Sequence, residues 1–163
     1  MTKRRPIAWR GLLYAAGFIF LWAWLAVSLR PLDARLAIQI PGWLRPVGWA
    51  LGIGGAILTT WCVAAFLTEG RGTPAPFDPP REFVASGPYR HVRNPMYLGG
   101  FAVLLGAGLA SASPAIVLLA GFFWFLAHLF VVLYEEPALE RRFGETYVSY
   151  NAAVSRWLPV RRH

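Results

Sequence analysis

The sequence has 163 residues, 56% hydrophobic and 15% charged, with a net charge of +8 and a mean hydropathy of +0.45. That hydrophobic share excludes a disordered chain, and the shortage of charge argues against a water-soluble globule, in which about a quarter of residues are charged. One cysteine, Cys62, excludes an intrachain disulfide and a multi-cysteine metal cluster, and three histidines (His91, His128 and His163) offer little for a zinc site.

Four apolar runs predict an all-α, polytopic membrane helix bundle, a single membrane domain over 1–163 with no separate soluble domain. The first run, 11–29, follows a basic N-terminus. It is longer than the apolar core of a signal peptide, about 7–15 residues, and carries bulky Trp22 and Trp24, so it reads as a retained transmembrane helix. The second is 47–68. Its Gly48, Gly52 and Ala56 recur every four residues and read as a close-packing stripe. Gly52-Ile-Gly54-Gly55 is no dinucleotide fingerprint, because no strand precedes it and it lies inside an apolar span. The third run, 96–113, gives about 27 Å of helix, barely a span. The fourth is 115–134. Ser111-Ala-Ser-Pro114 between the last two is a tight turn, which predicts an antiparallel hairpin. Beyond Pro137, the residues Leu139, Phe143, Tyr147, Tyr150 and Val154 form an apolar and aromatic stripe interrupted at Gly144. This predicts an amphipathic segment on the membrane surface.

With four spans, thirteen basic residues fall on one side: Lys3, Arg4, Arg5, Arg10, Arg71, Arg81, Arg90, Arg93, Arg141, Arg142, Arg156, Arg161 and Arg162. Arg30, Arg35 and Arg45 fall on the other. The positive-inside rule then puts both termini and the middle loop in the cytoplasm, as in a bacterial inner membrane protein. Because the basic charge flanks apolar runs, it points to anionic membrane lipids and not to nucleic acid.

The middle loop is long and rich in Pro and Gly up to Pro80. Asn94-Pro95 is a helix-start signal at the membrane surface, where free N–H groups and the helix dipole favour an anion; Arg90 and Arg93 add charge. The bland alternative is a capped helix touching lipid head groups. Glu135 and Glu136 close the last span, and the hairpin returns them to the face from which Asn94 emerges. A zwitterionic ligand with a cationic part and a carboxylate suits such a site; the alternative is a pair of salt bridges from the two glutamates to Arg141 and Arg142. His128, Val131 and Glu135 share one helix face. An ionisable residue inside a span is a functional candidate, though a neutral histidine bonded to a neighbouring helix is the commoner case.

Ser86-Gly-Pro-Tyr-Arg-His-Val-Arg-Asn-Pro-Met-Tyr-Leu-Gly99, Glu135-Glu136, Phe143-Gly-Glu-Thr-Tyr147-Val-Ser-Tyr150 and Arg156-Trp-Leu-Pro159 together resemble the isoprenylcysteine carboxyl methyltransferase and phospholipid methyltransferase superfamily. The resemblance covers 81–159, the family-like catalytic region. It implies an integral membrane enzyme that transfers a methyl group from S-adenosyl-L-methionine to a small-molecule or lipid acceptor. It assigns cofactor binding to Arg81, Glu82, Phe83, Val84, Tyr89, Asn94, Pro95, Met96, Tyr97, Glu135 and Glu136; Arg93, beside the helix start, and His128, inside the span, are the candidate catalytic residues. Arg81 and Asn94 replace histidines of the prenylcysteine enzymes, and phospholipid-type relatives also carry Asn at the second position. Val131 stands where those enzymes have the arginine that recognises the substrate carboxylate, which argues against a prenylcysteine carboxylate as acceptor. Two alternatives stay open: a nicotinamide-dependent enzyme like the sterol reductases, and a non-catalytic membrane subunit.

Overall fold

The computed structural model describes residues 5–70 and 83–159, with side chains from residue 13 onward. The Pro/Gly-rich part of the middle loop, and with it Arg81 and Glu82, lies outside the described residues.

The described residues are helical, with no strand among them. They form α1 (Arg5–Leu29), a short α2 (Asp33–Leu36), α3 (Arg45–Thr68), α4 (Pro95–Ala110), α5 (Pro114–Phe130), α6 (Glu136–Phe143) and α7 (Glu145–Ala153). Three helical stretches are long and apolar enough to cross a membrane: Leu13–Leu36, Gly42–Thr68 and Pro114–Phe143. The expected third span ends at Ala110 rather than Ser113; its 16 residues rise about 24 Å, short of the roughly 30 Å hydrocarbon core.

The tightest packing joins α3 and α4, and small residues permit it. A Cβ added to Gly106 would lie 2.5 Å from the Gly52 amide nitrogen and 2.6 Å from the Gly48 carbonyl oxygen. One added to Gly55 would lie 2.6 Å from the Gly99 carbonyl oxygen. The two backbones therefore touch along most of α4. The stripe follows Gly48, Gly52 and Gly55, while Ala56 is exposed. The expected four-residue repeat thus gives way to the alternating 4–3 spacing that keeps side chains on one face of a 3.6-residue helix.

The α4–α5 hairpin turns as its sequence predicts. Ala112 takes a left-handed conformation (φ 51°), the Ser113 N–H donates to the Gly108 carbonyl at 2.8 Å, and the Ser113 hydroxyl caps α5 by accepting from the Ile116 N–H. Asp33 adds a second cap from α2: its Oδ1 accepts from the Ser113 hydroxyl at 3.0 Å and from the Ala115 N–H at 2.8 Å. A carboxylate at a helix N-terminus is favoured by both the free N–H groups and the dipole. It ties the end of α1 to the hairpin. On the same side of the bundle, Trp22 packs edge-on against Phe123, ring centroids 4.9 Å apart, in a cluster with Leu119, Ala120 and Ala127.

The last span does not stop at Tyr134. It continues through a π-helical turn, Val131–Glu135, into α6, which carries Pro137 and ends at Phe143. A proline in an α-helix supplies no N–H and its ring strikes the carbonyl four residues back, here that of Leu133. The wider π-turn, closed by the Glu136 N–H on the Val131 carbonyl, lets the helix carry proline without ending. The break comes at Gly144, whose φ of 53° and ψ of −131° belong to glycine, and α7 then folds back beside α6.

Candidate active site

The end of α3, the segment 83–94, the start of α4, the π-turn, α6 and α7 converge on one end of the bundle. Between them lies a cavity of about 420 Å³, within the size range of small-ligand pockets. One wall is aromatic. The Phe83 ring lies 5.3 Å from Phe143, 5.8 Å from Tyr147 and 5.0 Å from Tyr150. Tyr150 is fixed by donating its hydroxyl to the Tyr89 carbonyl at 2.7 Å, and Tyr89 meets Phe66 edge-on at 5.3 Å.

The opposite wall is charged. Tyr97, in the first turn of α4, donates its hydroxyl to Glu135 Oε2 at 2.8 Å across the hairpin. The other oxygen of Glu135 has no bond among the described residues, so it can accept from a ligand. Glu136 is held differently: Arg156 grips it with a two-pronged fork, Nε to Oε1 and Nη2 to Oε2, both at 2.8 Å. Arg93 Nη1 lies 3.0 Å from the same Oε1, with only 5% of its side chain exposed. Yet the Nε and Nη1 atoms of Arg93 are buried without a hydrogen-bond partner. The ion pair is close, but its N–H groups miss the carboxylate. A buried guanidinium with unmet donors costs several kcal/mol unless something meets them.

The tyrosines here stay neutral at physiological pH. Burial pushes Tyr147 up to about 12, with Glu136 adding to the rise and Arg93 opposing it. Burial also raises Tyr150, and raises Tyr89 well above its usual value. None of these phenols supplies a phenolate base, and each keeps its proton to donate.

Phe83, Val84, Tyr89, Arg93, Asn94, Tyr97, Glu135 and Glu136 all line the cavity. Pro95 and Met96 do not: Pro95 is fully buried at the helix start, and Met96 packs on Cys62, Ala65, Val84 and Tyr89. His128 also stays outside the lining. Its Nδ1 accepts from the Trp157 indole N–H at 3.2 Å, and Trp157 packs against Trp124 at a tilt of 49° with centroids 4.4 Å apart. The alternative pairing of the two glutamates with Arg141 and Arg142 is absent among the described residues; both arginines are exposed at the cavity rim. Sequence reasoning missed Arg156, which sits 20 residues past Glu136 and beyond the Gly144 reversal, where no local spacing announces the contact. Phe143, Tyr147 and Tyr150 are visible in the sequence as an aromatic stripe able to wall a pocket, and all three line the cavity.

A family model described as phospholipid methyltransferase matches residues 43–146, well over half of the chain and most of the elements around the cavity. The chain belongs to the phospholipid methyltransferase family. Membership makes it a membrane methyltransferase, and with its three apolar helices it is an integral membrane protein. No curated protein and no solved structure matches it.

Proposed function

We propose that this chain transfers a methyl group from S-adenosyl-L-methionine, bound in the 420 Å³ cavity, to a lipophilic acceptor that arrives from the bilayer. The observation that carries the reading is the guanidinium of Arg93, ion-paired to Glu136 with two of its nitrogens outside any hydrogen bond, which lines the cavity beside the start of α4 opposite an aromatic wall. That donor set fits the cofactor's three chemistries. Arg93 and the free N–H groups of α4 suit its carboxylate. The open oxygen of Glu135 suits its ammonium or ribose hydroxyls, and the Phe83–Tyr147–Tyr150 wall suits its adenine.

When bound, the cofactor supplies a methyl group activated on a sulfonium. The protein's part is positioning and exclusion of water. Tyr97 fixes Glu135 in one rotamer, and Arg93 fixes the anionic end. Phe83, Val84 and Leu139 give the cavity low polarity, where discharge of a cation is favoured.

Two features support an acceptor from the membrane other than a prenylcysteine carboxylate. Tyr134 lines the cavity yet is 51% exposed beside Leu133, which is 72% exposed, so the cavity wall reaches the apolar outer surface. Val131 is fully buried and offers no partner to a carboxylate. His128 orients the C-terminal segment through Trp157 rather than reaching the cavity. The basic asymmetry supports a cytoplasmic cavity and cytoplasmic termini. A cysteine placed beside Arg162 is then expected to resist an impermeant thiol reagent in intact cells; labelling from outside would reverse the orientation.

Thermal unfolding in detergent tests the cofactor. S-adenosyl-L-methionine at about 100 times its Kd is expected to stabilise the protein by about 2.7 kcal/mol, and NADPH not at all. Stabilisation by NADPH alone would favour a reductase, and by neither a non-catalytic subunit.

A further inference from the structure

Glu136 is ion-paired with two arginines but hydrogen-bonds with only one of them. Its side chain is 14% exposed, and both its oxygens are taken by the fork of Arg156. Arg93 approaches one of those oxygens to 3.0 Å without directing its Nε or Nη1 hydrogens at it. Two guanidinium groups and one carboxylate leave this three-residue cluster with one positive charge in excess.

The backbone holds this arrangement in place. After α7 the chain turns back at Val154 and crosses the start of α4. The Arg93 N–H donates to the Ser155 carbonyl at 2.9 Å, and the Asn94 side-chain amide donates to the Arg156 carbonyl at 3.3 Å. Trp157 then locks onto His128 and Trp124. The strap 154–157 is thus pinned on one side to the residues just before α4 and on the other to α5. Arg156, between those pins, reaches Glu136 from a fixed origin.

We propose that Arg156 is a positioning residue for cofactor binding: by occupying both oxygens of Glu136 it keeps that carboxylate, 3.0 Å from Arg93, from taking the Arg93 N–H groups in hydrogen bonds, which leaves them for an anionic group in the cavity. The proposal rests on the reading above that Arg93 receives the carboxylate of the cofactor. Without Arg156, Glu136 and Arg93 form a closed, neutral pair, because a carboxylate with free lone pairs beside a guanidinium with free N–H groups satisfies both. The cluster then loses its excess positive charge and the ligand's carboxylate loses its partner. A Glu136 that bound the cofactor directly would instead be hindered by Arg156.

The test compares two probes: S-adenosylhomocysteine, which has the amino-acid carboxylate, and 5′-methylthioadenosine, which lacks it. Both are titrated calorimetrically into the detergent-solubilised full chain. Arg156→Met is expected to weaken S-adenosylhomocysteine by about tenfold or more, the scale of one charge-assisted hydrogen bond, and to leave methylthioadenosine unchanged. Arg156→Lys, which keeps the charge but not the fork, is expected to fall between. The double variant Glu136→Gln/Arg156→Met removes the competitor together with its guard and is expected to recover S-adenosylhomocysteine binding to within about threefold of the parent, since Arg93 is again the only charge of the cluster. A purely structural role for Arg156 predicts loss of both probes and no recovery, and that outcome overturns the proposal, as does an unaltered S-adenosylhomocysteine affinity in Arg156→Met. Arg93→Met separates the two levels. If it spares both probes, the carboxylate reading itself fails; if it selectively weakens S-adenosylhomocysteine while Arg156→Met does not, only the role of Arg156 fails.

Discussion

Glu135→Gln is expected to weaken binding of S-adenosyl-L-methionine by about 1–3 kcal/mol, roughly 5- to 150-fold, with the protein still folded. Glu135 sits at the π-turn where α5 passes into α6, and its Oε2 is already committed to the Tyr97 hydroxyl at 2.8 Å. The remaining oxygen is the one available to the ligand. An amide at this position can rotate to give Tyr97 its acceptor, but it then presents an NH2 group to the ammonium or ribose hydroxyls. The charge is lost and one hydrogen bond becomes a clash of donors. Isothermal calorimetry reads the affinity, and a melting curve without ligand establishes the fold. An unchanged affinity in a folded variant would remove Glu135 from the cofactor site.

Gly106→Leu is expected to have the larger effect on the protein as a whole. The α3–α4 contact has no room for a side chain there, since even a Cβ meets the Gly52 amide nitrogen at 2.5 Å and the Gly48 carbonyl oxygen at 2.6 Å. These are backbone atoms of a packed helix and cannot turn aside as a side chain would. Overpacking of this kind costs about 1–3 kcal/mol at sites that can relax, and this site relaxes only by moving whole helices apart, so about 3 kcal/mol or more is expected. The same movement carries Tyr97 and Asn94, at the start of α4, away from Phe66 at the end of α3, so ligand binding falls with stability. Gly106→Ala gives a graded version. Unfolding in detergent with and without S-adenosylhomocysteine measures both; a variant as stable as the parent would mean that the helices are not in backbone contact.

Much of this arrangement is legible in the chain. The apolar runs locate α1, α3, α4 and α5, because long uncharged stretches leave little freedom in where a helix lies, though α4 is shorter than a full span and the last helical stretch runs on to Phe143. The hairpin turn at Ser111–Pro114 places Glu135 beside the start of α4, and its hydrogen bond to Tyr97 follows from that topology. The small-residue stripe points to close packing, though its register follows Gly55 rather than Ala56. Other features escape a local reading. Pro137 signals a helix end, whereas a π-turn carries the helix through it. That is a tertiary outcome, with Val131 fully buried on one side and Glu135 directed at Tyr97 on the other. The side on which α1 docks has no signal, since its 11–29 stretch is uncharged; among the described residues Phe18 and Trp22 against Phe123, Ala26 in the same cluster and the Asp33 cap fix it. The clamp of Arg156 on Glu136 is the least legible of all, because it depends on the reversal at Gly144 and on the strap 154–157 returning across α4.

The central claim is methyl transfer from S-adenosyl-L-methionine at the cavity between α4, α6 and α7. Its most direct test is the fate of a labelled methyl group. Purified protein in lipid bilayers is incubated with methyl-labelled S-adenosyl-L-methionine, and the products are separated into lipid, small-molecule and carboxyl-ester fractions, with farnesylcysteine present as a competing acceptor. The account predicts label in a lipid or small lipophilic acceptor, little in the farnesylcysteine ester, and a loss of transfer in Glu135→Gln at subsaturating cofactor. Label entering chiefly the farnesylcysteine carboxyl group would contradict the reading of Val131, and equal transfer by Glu135→Gln under those conditions would contradict the assignment of the cavity.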